Sequence, residues 1–177
     1  MSFGAQNIPT LTTERLTLRA LGAQDFAPLC EFYASDRSKF VGGPATAEAT
    51  WRNLAGEIGH WALRGYGRWA VEETATGKLA GVVGPWNPDG WPEAELGWDL
   101  MNGFEGKGYA TEAARAARHF AYTELNWTTA ISLVAIDNDA SAALALRLGC
   151  SEENERFTHE RHGTMRVFRH PNPEAVI

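Results

Sequence analysis

Gly106-Lys107-Gly108-Tyr109-Ala110-Thr111-Glu112-Ala113, with Asn138-Asp139-Ala140-Ser141 one helix and one strand further on, gives the first hold on this 177-residue chain. Two glycines separated by one residue leave the face of a turn without Cβ atoms, so the main chain can approach an anion closely. The Ala-rich run from Ala110 to Ala121 is a strong helix former. Its macrodipole directs positive charge at the turn, where the first N–H groups lack helical partners.

Spacing sorts the phosphate loops that could use such a turn. A P-loop needs Gly-x4-Gly-Lys-Ser/Thr, but Met101 stands at the first glycine and Gly108 at the Ser/Thr. A dinucleotide fingerprint needs a third glycine where Thr111 stands, and follows the first strand of a βαβ unit. There remain a pyrophosphate turn of the coenzyme A type, late in the chain after a meander of strands, and an ordinary strand-to-helix turn.

Outward from the turn, Glu93 to Leu100 reads as the strand feeding it. Alternation places Ala94, Leu96, Trp98 and Leu100 on a core face, and Glu93, Glu95, Gly97 and Asp99 on an acidic one. Leu16 to Arg19 alternates as an opening strand, and Ala23-Gln24-Asp25 starts a helix carrying Phe26, Leu29, Phe32 and Tyr33. Ala47 to Leu63 is helical, with Trp51, Leu54, Ile58 and Trp61 expected to pack inward. Arg68 to Glu73 and Leu79 to Val83 form a hairpin around Thr76-Gly77. Pro85 to Pro92 is expected to be a loop. Thr129 to Ile136 is a strand, Asp139 opens another helix, and two strands close the chain.

Composition narrows the function classes. The length suits a single core over residues 1–177, without a linker, repeat or long charge block. The formal net charge of −6 argues against nucleic acid as partner and suits a cationic acceptor. Met1–Pro9 lacks a signal-peptide pattern and no apolar run spans a bilayer, so no membrane partner and a cytoplasmic location are expected. Cys30 and Cys150 are read as buried thiols. His159-x-x-His162 would need a third ligand to hold a metal, so these residues and His170 are read as hairpin-surface residues and no metal is expected.

Glu95-Leu96-Gly97-Trp98, Gly106 to Ala113, Asn138-x-x-Ser141 and Arg147-Leu148-Gly149 resemble, in order, the motifs of the GNAT N-acetyltransferase superfamily, in its RimJ/RimL-like branch. Glu14 to Arg19 is similar to the family's opening strand and Gly163 to His170 to its closing one, so the resemblance covers nearly the whole chain. It implies an α+β fold: a twisted, mostly antiparallel sheet of about seven strands with about four helices, splayed between the fourth and fifth strands. It implies acetyl-CoA as cosubstrate, an amine acceptor, and admits a homodimer. Main-chain pantetheine contacts are implied around Leu100 and Met101. The turn from Glu105 through Gly106, Lys107, Gly108, Tyr109 and Ala110 to Thr111 holds the phosphates, and Asn138, Ser141 and Arg147 complete the cofactor set.

An amine attacks a thioester only when neutral, and a lysine-like amine has a reference pKa of about 10.4, so a base or a desolvating pocket is needed. Glu95 is the first candidate, with a solvated strand-face acid as the alternative; Glu93 and Asp99 share its face. The N–H of Met101 is the family-like place for an oxyanion donor. Many GNAT enzymes carry a tyrosine general acid where this chain has Ala145; Ser141 lies where a serine could approach the sulfur, although it or Asn138 could equally cap a helix. Gly103 and Cys150 also depart from the family pattern. Trp86, Trp91 and Tyr66 are candidates for shaping an acceptor pocket. An acyl-CoA-binding module with little catalysis is the competing class.

Overall fold

The computed structural model describes residues 7–176, so the start of the Met1–Pro9 segment lies outside the described residues. Eight strands form one sheet in the order β1-β2-β3-β4-β5-β6-β8-β7. They are β1 (Leu11–Thr12), β2 (Leu16–Arg19), β3 (Trp69–Glu73), β4 (Lys78–Trp86), β5 (Glu95–Leu100), β6 (Ile131–Ala135), β7 (Ser151–His159) and β8 (Gly163–Arg169). The helices are α1 (Phe26–Tyr33), α2 (Ala47–Arg64), α3 (Tyr109–Thr123) and α4 (Asp139–Arg147). The strand beyond the seven expected is β1, only two residues long, paired antiparallel with β2. Every pair is antiparallel except β5 with β6.

Two cores cover the two faces. Ala110, Ala113, Ala114 and Ala117 of α3 pack with Leu16, Leu18, Trp69, Val71 and Leu96, and Ala142 and Ala145 of α4 extend this layer. Small side chains on α3 let the helix lie close on the sheet. Leu29, Phe32 and Tyr33 of α1 and Leu54 of α2 meet Ala70, Leu79, Val82 and Met101 on the opposite face. Apolar burial of this kind is worth roughly 25 cal/mol per Å². The edge strand β7 is largely exposed and carries Glu152, Glu153, Glu155 and Arg156, charges that discourage pairing with another chain.

Local chemistry sets the ends of the elements. Thr46 caps α2, its Oγ1 accepting from Ala49 N at 3.2 Å, and Gly65 ends the helix in the left-handed region at φ 77°. β4 runs on through Pro85 and Trp86, which the sequence reading assigned to a loop. The strand tolerates proline there because β3 stops pairing at Trp69↔Val83, so the missing N–H breaks no ladder bond.

Two expectations about α2 are corrected. Leu54 and Trp61 are buried, but Trp51 is 60% and Ile58 40% exposed. The buried row is Thr50, Leu54, Glu57 and Trp61, with His60 beside it. The period of the pattern was right and its phase was shifted by one row, because the side facing the sheet must deliver Glu57 to a buried arginine. Cys30 is only half-buried; Cys150 is buried, and desolvation pushes its thiol up to about 11.

Candidate active site

The site is a fork between β5 and β6. These strands pair at a single register point, Glu95↔Ile131, with Ile131 N donating to Ala94 O at 3.1 Å. A continuing parallel ladder would next join Leu133 N to Leu96 O. Side chains take over both groups instead: Ser132 Oγ donates to Leu96 O at 2.6 Å, and Leu133 N donates to Glu95 Oε1 at 3.0 Å. Beyond this point the strands part, and a cleft of about 370 Å³ opens, lined by β5, β6, the face of α2, Trp86 and Trp91, and the β7–β8 turn. That volume suits a small ligand or a short chain segment.

The acidic face of β5 is buried, not solvated. Glu95 is 7% and Asp99 6% exposed. Glu95 Oε2 accepts from Trp91 Nε1 at 2.6 Å while Oε1 holds Leu133 N. Two acceptor sites of the carboxylate are thus used and two remain. Burial pushes its pKa up against these hydrogen bonds and the Arg68 charge. Asp99 is also raised by burial, opposed by Arg68, whose Nη1 donates to Asp99 Oδ2 at 2.9 Å. Arg68 is further paired with Glu57 and lies 5.1 Å from the Trp86 ring centroid. Burial works against the guanidinium, yet the two carboxylates keep it charged. Two buried carboxylates, Glu57 and Asp99, therefore pair with one buried guanidinium, whose charge also acts on Glu95. Neither Glu57 nor Arg68 carries a motif in the sequence; they come from α2 and the start of β3, and only the fold brings them to β5.

The glycine turn stands at the other side of the fork. Gly106 and Gly108 have φ of 73° and 81°, a region that costs other residues about 1–2 kcal/mol. Among the described residues, no acceptor within hydrogen-bonding distance faces the N–H groups of Gly106 through Thr111. Arg15 braces the turn from behind: its Nη1 donates to Lys107 O at 2.9 Å and its Nε to Glu112 Oε2 at 2.8 Å. Lys107 Nζ lies 4.8 Å from the Phe104 ring centroid and 3.7 Å from Glu73, so it adds charge beside the turn. Arg147 Nη1 reaches Thr111 Oγ1 at 3.4 Å, bringing the end of α4 to the start of α3. Asn138 caps α4, with Oδ1 accepting from Ser141 N at 3.2 Å, which leaves its amide NH₂ free to donate. Trp98 Nε1 donates to Ser141 Oγ at 2.9 Å. Asn138, Ser141 and Glu95 all line the one cleft. Ala145 is fully buried, so no acid replaces the absent tyrosine at that position.

Several placements differ from expectation. The N–H of Met101 donates to Ala80 O at 3.0 Å, on the β4 side, and cannot serve an oxyanion in the fork. Strand alternation turns the N–H groups of Trp98 and Leu100 toward β6 instead. Glu105 is in an ion pair with Arg37. Glu93 is locked to Arg169, with contacts of 2.6 and 2.9 Å that hold its pKa down, and it lies outside the cleft. Tyr66 packs on His60 and Trp127 rather than lining the cleft, whereas Trp86 and Trp91 do line it. His159 and His162 lie at the cleft mouth beside Trp91, at ring distances of 5.1 and 5.7 Å. His170 is buried and meets Ser132 Oγ at 2.9 Å. Among the described residues there is no group of three or more potential metal ligands.

A sheet forked at its one parallel pair, with a glycine turn and helix N-terminus at one side of the opening and buried acids at the other, defines an acyltransferase scaffold. A sequence profile described as Acetyltransferase (GNAT) domain matches residues 15–151, and the chain belongs to the GNAT acetyltransferase family. A crystal structure of an acetyltransferase from Agrobacterium tumefaciens is 39% identical and superposes with a TM-score of 0.85 over 93% of this chain and 95% of that one. An uncharacterised N-acetyltransferase, p20, of Bacillus licheniformis is 30% identical over 156 residues, 86% of this chain and 88% of that protein. The putative ribosomal N-acetyltransferase YdaF of Bacillus subtilis is 28% identical over 151 residues, 80% and 81% of the two chains. No helix among the described residues is long and apolar enough to cross a membrane.

Proposed function

We propose that this chain, acting as one cytoplasmic domain, transfers an acetyl group from acetyl-CoA to a primary amine by direct attack within a ternary complex. The observation that carries this reading is the Glu95 carboxylate, buried where β5 and β6 part, raised in pKa, and shared between the acceptor cleft and the strand fork. Free amides from Gly106 to Thr111, the Arg147 guanidinium and the Asn138 NH₂ fit a pyrophosphate and pantetheine arm. Bound there, acetyl-CoA supplies the activated acyl group.

The protein's own groups divide the remaining work. An incoming ammonium is drawn to the cluster in which the buried Glu57, Asp99 and Glu95 outnumber the one buried guanidinium, Arg68. Glu95, with two acceptor sites unused, takes a proton from it directly or through a water. The Leu100 and Trp98 N–H groups point into the fork, where negative charge develops on the acyl oxygen. Ser141 accepts from Trp98, so its own hydrogen is free to point toward the departing sulfur.

Calorimetric titration with acetyl-CoA, CoA, NAD and ATP, followed by an amine screen read by thiol release, tests this. Selective acetyl-CoA binding with acceptor-dependent release of free CoA is expected. Tight CoA binding without transfer to any amine would favour an acyl-CoA-binding module; preference for NAD or ATP would remove the cofactor assignment.

A further inference from the structure

The cleft is charged in layers. Its floor holds the buried carboxylates Glu57, Glu95 and Asp99 around Arg68, while its mouth is lined by Arg52, Arg161, His159, His162 and Asp89, with Glu160 exposed in the β7–β8 turn beside Arg161. The cationic side of the mouth is not neutralised throughout. Arg52 is paired with Glu48, but Arg161 has no carboxylate within 4.0 Å among the described residues.

Arg161 is also held over the opening. Its backbone N donates to His159 Nδ1 at 3.1 Å, tightening the β7–β8 turn. Across the mouth, Gly42 has φ of 94°, and a Cβ placed there would lie 3.4 Å from both Arg161 Nη2 and His162 Cε1. The α1–α2 loop and the β7–β8 turn thus meet edge to edge, and the guanidinium sits at the rim of the passage through which an acceptor enters.

Resting on the acetyl-transfer reading above, we propose that the acceptor carries a carboxylate beyond its amine: the ammonium enters the acidic floor and Arg161 receives the carboxylate at the mouth. A polycation such as a polyamine or an aminoglycoside would gain at the floor but meet Arg161 with its second charge. A guanidinium is suited to the partner, because its planar fork matches a carboxylate in two parallel hydrogen bonds. The same chemistry is offered by a free amino acid and by the N-terminus of an acidic peptide.

The test is a thiol-release assay on the full chain with acetyl-CoA and four acceptors: free glutamate, a C-terminally amidated tetrapeptide with Glu at its second position, the same amidated peptide with Gln there, and spermidine. The Glu peptide or glutamate is expected to exceed the Gln peptide and spermidine in kcat/KM by about tenfold at low salt, the scale of one charge-assisted hydrogen bond. The difference should enter through KM and shrink at high ionic strength. Arg161→Gln should bring the Glu/Gln peptide ratio close to one, and Arg161→Lys should restore part of it. Which of the first two acceptors is faster identifies the source of the carboxylate. Equal rates for the two peptides, or a preference for spermidine, would overturn the proposal while leaving acetyl transfer intact. Transfer to none of them or to any other amine, with acetyl-CoA bound, would instead overturn the reading beneath it.

Discussion

Replacing Glu95 by Gln separates the two tasks the structure gives this side chain. As a base it is worth about 10²–10⁴ in rate. As a structural group it accepts from Trp91 Nε1 on one oxygen and Leu133 N on the other. A glutamine keeps the volume but supplies one carbonyl oxygen, so either Trp91 or Leu133 is left facing an NH₂ donor. One buried unpaired donor costs about 1–3 kcal/mol, and for a chain of this size each kcal/mol lowers the melting temperature by about 2–4 °C, giving a loss of about 2–12 °C. Removal of a buried, partly desolvated acid offsets some of this. The assay is steady-state thiol release at 20 °C, well below either melting transition, with acetyl-CoA affinity measured in parallel. Expected are a kcat lowered at least 100-fold, acetyl-CoA binding within a few-fold of the parent, and a modestly lower melting temperature. In the parent, kcat/KM should rise with pH through an apparent pKa above the ordinary glutamate value, because burial raises Glu95; this limb should vanish in the variant. A Glu95→Gln protein that is folded, binds acetyl-CoA and keeps its kcat and its pH profile would refute the base assignment.

Gly108→Ala should weaken acetyl-CoA binding about tenfold, since the left-handed backbone at φ 81° costs alanine about 1–2 kcal/mol and the turn must relax away from its anion-facing form; unchanged affinity by calorimetry would remove the turn from the site. His170 is pushed down to about 3 by burial and by Arg118 and Arg169. Its folded-state pKa lies below the unfolded value of about 6.5, so its neutral form stabilises fully above about pH 6.5 and that contribution is lost as pH falls toward about 3, at up to about 1.4 kcal/mol per pH unit. The melting temperature of His170→Gln should therefore fall less steeply between pH 6.5 and 4 than that of the parent, and parallel curves would show that the ring is not held neutral. Trp51→Ser should move the melting temperature by no more than about 2 °C, while Leu54→Ala should cost about 2–5 kcal/mol; the reverse order would mean that α2 packs on its other face.

The order of elements was legible along the chain because each rests on local chemistry: alternation in β2 and β5, alanine density in α3, the Asn138 cap, the left-handed glycines before α3. The glycine turn was legible for the same reason, since its free amides come from consecutive residues. The buried charge cluster was legible only in part, through Glu95 and Asp99 on one face of β5. Glu57, Arg68, Asp99 and Glu95 come from α2, the start of β3 and β5, and their shared burial and the weakened acidity of Glu95 and Asp99 exist only when those elements pack together. Periodicity gave the correct spacing for α2 but could not give its phase, because Trp51 and Ile58 are as apolar as Leu54 and Trp61; the buried ion pair of Glu57 with Arg68 decided which row faces the sheet. Met101 failed as a donor by a single residue, since the direction of each N–H is set by strand pairing with β4, a long-range register that no run of side chains encodes. Residues adjacent in the chain thus specified the turn and its caps, while the fork of β5 from β6 and the charge layers of the cleft came from contacts between residues up to about a hundred positions apart, whose energies appear only on folding.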